Sequence, residues 1–215
     1  MIPDFDTAAI KAMETIIKFG ISSAPVDPLP LLKKMQGVVV LPFAEVAHEI
    51  GEERETVLEM FGDESRAAVT TYSDGNYFVV YNQQMPFILL QRALARELGH
   101  IVLKHDGSRP VDSRMGEAYC FAHHLLCPRP LIKLLQESPF RVTVEMLGNV
   151  TGCYEECLDR MNRLPGTNVP AELNRKVKEQ FEDYVRNFMR YQAIIAGRDN
   201  SRTADFGTFM EGYAE

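Results

Sequence analysis

Arg96-Glu97-Leu98-Gly99-His100 is the segment of this 215-residue chain best suited to chemistry. It resembles the pattern His-Glu-x-x-His with the first histidine replaced. In the complete pattern two histidines one helical turn apart converge on one Zn²⁺. The glutamate beside the first polarises the metal-bound water and takes its proton. The one-turn spacing is required because only side chains at i and i+4 share a helix face closely enough for one tetrahedral ion. Here Glu97 is kept as the candidate general base and His100 as one candidate ligand. Arg96 stands at the other ligand position, and a guanidinium has no lone pair to offer and stays protonated. His105 does not replace the lost ligand, since i and i+5 lie about 140° apart on a helix and do not converge.

A helix spanning 86–105 must carry this segment, with Leu90, Leu94, Leu98, Ile101 and Val102 as its apolar stripe and Pro86 at its first turn. Before it, two β-rich runs flank Asp74-Gly75, a pair suited to the positive φ of a tight hairpin turn. Upstream come a helix over 5–19 stopped at Gly20, a short helix carrying Leu31, Leu32 and Met35, a strand at 38–43 and one or two short helices over 44–62. Downstream the pattern predicts helices at 113–126, 130–136 and 142–162. The order implies an α+β fold with a small antiparallel sheet packed with helices. The expected division is a domain over 1–164, a linker at 165–170, a long amphipathic helix at 171–196 and a loosely ordered tail at 197–215.

The surroundings resemble the ImmA/IrrE family of zincin-like metallo-endopeptidases. Arg92, Leu94, Ala95, Glu97, Leu98, Gly99 and His100 occupy matching places. So does the second helix, Glu117-Ala118-Tyr119-Cys120-Phe121-Ala122 running on to Leu125-Leu126-Cys127-Pro128. The likeness covers about residues 10–165, with two motifs in the family's order and spacing. It implies a minimal zincin-like fold and puts Glu117 at the third zinc ligand. It also implies a partner, a DNA-binding regulator of the helix-turn-helix type that active members cleave to switch on genes of mobile elements or stress responses.

Three departures stand out: Arg96 for a ligand, Tyr119 for the usual Asn or Asp, and Cys127 for the usual Met. The expectation is therefore an impaired or lost zinc site. In it Arg96 projects into the old metal position and pairs with Glu117, and with Glu97 as a second acceptor. A cation in place of a cation leaves the two carboxylates balanced. No cofactor is expected on this reading, and zinc only if the site still works. The alternatives are an active zinc endopeptidase using Glu97, His100 and Glu117, and a structural protein assembling through 171–196 into a homo-oligomer.

Other clusters read more simply. His48-Glu49-Ile50-Gly51-Glu52 is an acidic helix end. Cys120, His124 and Cys127 share one helix face and suit core packing, because a buried cysteine behaves as a small hydrophobe. Cys153 and Cys157, one turn apart, suit packing as well. The net charge of −7 argues against direct nucleic-acid binding. The start lacks a basic-then-apolar leader, and no run approaches roughly 18 apolar residues, so a cytoplasmic protein without membrane contact is expected.

Overall fold

Asp4 starts the first helix, its carboxylate accepting a hydrogen bond from the Thr7 N–H at 2.9 Å. That helix, α1 (Phe5–Phe19), ends where Gly20 adopts φ 64. The computed structural model describes residues 2–60, 67–105, 108, 110–137, 142–152 and 167–198. Asp27 caps α2 (Pro28–Lys33) in the same way, through the Leu29 N–H. Then follow β1 (Val38–Pro42), α3 (Phe43–Ile50), α4 (Arg54–Met60), β2 (Ala68–Ser73) and β3 (Asn76–Tyr81). The remainder is helical: α5 (Phe87–Val102), α6 (Val111–Leu126), α7 (Arg129–Gln136), α8 (Val144–Thr151) and α9 (Ala171–Arg198).

The architecture is α+β and mostly helical, with one three-stranded sheet in the order β1-β3-β2. The hairpin forms as its sequence predicts. Asp74 and Gly75 both take positive φ, at 50 and 81, and Val69 pairs with Val80 across the antiparallel ladder. The all-antiparallel expectation fails at β1, which runs parallel to β3 with Val38 opposite Tyr77. A parallel neighbour needs a long crossover, and α3, α4 and β2 together provide it. Successive residues of β3 serve opposite faces. Val79 joins the main core, while Val80 packs in a smaller cluster with Phe43, Ala47 and Val57.

The main core gathers α1, α2, α5, α6, α7 and α9. Met13, Ile16, Leu32, Leu94, Leu98, Phe121, Leu125, Leu131, Phe181 and Phe188 are fully buried in it. The stripe of α9 (Val177, Phe181, Tyr184, Val185 and Phe188) is buried in this same core rather than offered to solvent. The helix also runs to Arg198, two residues past its expected end. α8 stops at Thr151 with Gly152 at φ 69, and positions 153–162 of the expected helix lie outside the described residues. Cys153 and Cys157 lie outside the described residues, as do 165–166 of the expected linker and 199–215 of the expected tail. Among the described residues no helix is long and apolar enough to cross a membrane.

One glycine sets how closely the two site-bearing helices approach. A Cβ on Gly99 of α5 would stand 3.0 Å from Phe121 Cδ1 and 3.2 Å from the Ala118 carbonyl oxygen, both on α6. Alanine elsewhere in a helix improves on glycine by about 1 kcal/mol. Here overpacking of about 1–3 kcal/mol opposes that gain. Gly99→Ala is expected to lower the urea midpoint by an amount equivalent to about 1 kcal/mol. A raised midpoint would mean that the crossing relaxes freely.

Candidate functional site

The α5–α6 crossing turns three polar faces toward one another. Glu97 and His100 project from α5, and Glu117 from the middle of α6. Glu97 and Glu117 are nearly fully buried, at 5% and 2% exposure. Buried carboxylates need partners, and each has found one inside the protein.

Arg96 turns toward Glu97, not toward Glu117 as its expected pairing required. Its Nε and Nη2 donate to Glu97 Oε1 at 3.1 and 2.9 Å. Adjacent helical residues normally point apart, but the long arginine stem curls back far enough to place its fork on the neighbouring carboxylate. The guanidinium also lies 5.7 Å from the centre of the Tyr119 ring. Burial pulls the Arg96 pKa down, but the charge and hydrogen bonds of Glu97 and the contact with Tyr119 outweigh it and hold the value above normal. Tyr119, the departure from the family pattern beside Glu117, thus meets Arg96, the departure beside Glu97.

Glu117 is held by groups that sequence reasoning did not assign to it. Its Oε1 accepts the backbone N–H of Asp4 at 2.7 Å, and its Oε2 lies 3.0 Å from His105 Nε2. The Asp4 contact is a helix cap supplied from 113 residues away. It gives the first N–H of α1 the partner that a glutamate three residues on supplies in a capping box.

His105, set aside because i+5 diverges from i, lies against His100 with their Nδ1 atoms 2.8 Å apart. The reason is that α5 ends at Val102. Lys104 takes φ 54, and the N–H groups of Lys104 and His105 return to the carbonyls of Ile101 and His100 at 3.1 and 3.0 Å. This pair of bonds is a Schellman ending, which folds the chain back over its own last turn. It carries His105 beneath His100 and into contact with Glu117. One proton pattern satisfies the row. His105 Nε2–H donates to Glu117, and His105 Nδ1–H donates to Nδ1 of a neutral His100. Burial, then the charges of His105, Arg96 and Arg114, push the His100 pKa down to about 4, so its ring is neutral at pH 7.

The donor set as arranged does not fit zinc. A catalytic zinc needs three lone pairs converging at about 2.0–2.3 Å. Here one position is a guanidinium, and the His105 ring stands between His100 and Glu117. Among the described residues no three His, Cys, Asp or Glu side chains are grouped to hold a metal ion. The other clusters take their simpler readings. His48 and Glu49 are exposed. Cys120 and Cys127 are buried thiols, and burial pushes the Cys120 pKa up to about 12.

The row opens onto a cleft of about 650 Å³ between β2, α5 and α6. Arg92, Arg96 and Arg114 line it together with Tyr72, Tyr77 and Tyr119. Such a mixture of aromatic and guanidinium groups suits holding a peptide segment. Glu97, the candidate base, reaches this cleft with its Oε1 held by Arg96. No family model, curated protein or solved structure matches the chain.

Proposed function

We propose that this chain is a metallopeptidase-like protein of the ImmA/IrrE type whose zinc site has been replaced by an internal hydrogen-bonded network. It acts by holding a segment of a helix-turn-helix regulator in the cleft rather than cutting it. The single observation that carries this reading is the engagement of both carboxylates. Arg96 occupies Glu97 Oε1 twice over, and His105 with the Asp4 N–H occupies both oxygens of Glu117. The network does the mechanical work of a metal, joining α5 to α6 and to the start of α1, without its Lewis acidity.

The test is metal content after purification without chelator. The natural sequence is expected to carry no stoichiometric zinc. Arg96→His alone is expected to gain little, because His105 still lies on His100 and Glu117. The double variant Arg96→His with His105→Ala is expected to take up about one zinc per chain, the usual stoichiometry of a three-ligand site. Stoichiometric zinc in the natural sequence, lost on His100→Ala or Glu117→Ala, would overturn the proposal and restore the active endopeptidase. A purely structural role is less well supported, since the stripe of α9 that would drive assembly is buried in the chain's own core.

A further inference from the structure

A second cavity, of about 500 Å³, lies between α7, α9 and the segment leading into α9, with His124 of α6 in its wall. It shares no lining residue with the cleft. Its charge is opposite to that of the chain. Arg129, Lys133, Arg175 and Lys178 all line it, and Glu137 is its only acidic lining residue. In a protein of net charge −7, four cations against one carboxylate is a concentration that calls for a cause.

The two helices set the arrangement. Arg129 and Lys133 stand one turn apart on α7, and Arg175 and Lys178 three residues apart on α9, so each pair shares a face. Glu137 meets Lys178, its Oε2 accepting from Nζ at 3.1 Å. Arg175 is held by Glu172 and Glu179, neither of which lines the cavity. The side chains of Arg129 and Lys133 make no hydrogen bond or ion pair with any described residue. Like charges one turn apart repel, and among the described residues no carboxylate forms an ion pair with either of them. The Thr167 hydroxyl and the Asn174 amide also line the cavity, the first 3.4 Å from His124 Nε2 and the second donating to the Val169 carbonyl. Its size falls within the range of about 300–1,000 Å³ typical of small-molecule sites.

We propose that this cavity binds a small, soluble phosphate-bearing molecule. Arg129 supplies the planar fork that matches two phosphate oxygens, and Lys133 and Lys178 act as point charges. Arg129 and Lys133 are the two lining cations left without an ion pair, and together they call for a ligand of two negative charges, which selects phosphate over a single carboxylate. The bound molecule would bridge α7 and α9, taking over Lys178 from Glu137.

Calorimetric titration of the full chain with inorganic pyrophosphate, without divalent metal and near 0.15 M salt, tests this. Binding in the micromolar range is expected, with no response to chloride at matched ionic strength. The double variant Arg129→Ala with Lys133→Ala is expected to bind at least tenfold more weakly. Glu137→Gln removes the competing carboxylate and is expected to bind several-fold more tightly, a gain that misfolding cannot imitate. No heat beyond the chloride control would overturn the proposal. So would affinity unchanged in both variants but lost in Arg114→Ala, which would put the anion in the cleft instead.

Discussion

Glu117→Ala is expected to remove about 3 kcal/mol of folding stability, and chelator is expected to make no difference to that loss. Breaking a buried charged pair by deleting one partner costs about 3–5 kcal/mol, because the group left behind has lost its compensation. The value belongs at the lower end here. His105 is buried at 8% exposure and loses the acceptor of its Nε2–H, but Asp4 is exposed and its N–H can turn to water. Glu117→Gln keeps an oxygen for Asp4 and is expected to lose less, about 1–2 kcal/mol, for the missing charge-assisted bond. Urea unfolding of the natural chain and both variants, each with and without chelator, provides the check. If chelator alone weakens the natural chain as much as alanine does, Glu117 is serving a metal rather than His105.

The second large effect is acid sensitivity centred on His124. This ring is 1% exposed, and burial, then the charges of Arg129 and His123, lower its pKa to about 4. Unfolded, it would titrate near its ordinary value of 6.5. A folded pKa below the unfolded one means that the unfolded chain takes up the proton first. Stability is therefore complete above about pH 6.5 and falls as pH drops from there toward 4. The slope is about 1.4 kcal/mol per pH unit, giving a loss of about 3 kcal/mol across the window. His100, lowered in the same direction, adds to the same slope. His124→Gln separates the two, since its amide reaches the place of Nε2, which lies 3.4 Å from the Thr167 hydroxyl. The variant is expected to flatten the dependence of the urea midpoint on pH between 6.5 and 4. An unchanged slope would mean that His124 is protonated in the folded chain.

What could be read in advance followed the range of the interactions. The hairpin, the first helix and the stripe of α9 are written in local spacing, and they formed where Asp74-Gly75, the apolar run stopped at Gly20 and the run from Val177 to Phe188 put them. The direction of β1 was not legible, because its partner β3 lies across two helices and a strand, and residue pattern alone does not encode parallel or antiparallel pairing. In the site, Glu97, His100 and Glu117 were found by motif and do lie around one helix crossing. His105 was missed because the turn that delivers it is closed by Lys104 at φ 54. A glycine there would have announced the end of the helix, whereas a lysine let the helical pattern run on to 105. Asp4 was missed for a different reason. Its contribution is a backbone N–H, and any residue except proline carries one.

The bond from Asp4 to Glu117 has a partner at the other end of the chain, where Asp6 Oδ1 accepts the Asn168 N–H at 2.8 Å across 162 residues. Both bonds hold α1, and their partners are made 113 and 162 residues later in the chain. At about 5–20 residues per second, synthesis takes roughly 10–30 s to produce the second of these partners. Ala8, Ala9, Ala12, Met13 and Ile16, all fully buried in the finished fold, lack α6 for much of that interval and α9 for all of it. Full burial of α1 thus waits first for α6 and then for α9, and the nascent chain must keep this helix from finding other partners until then.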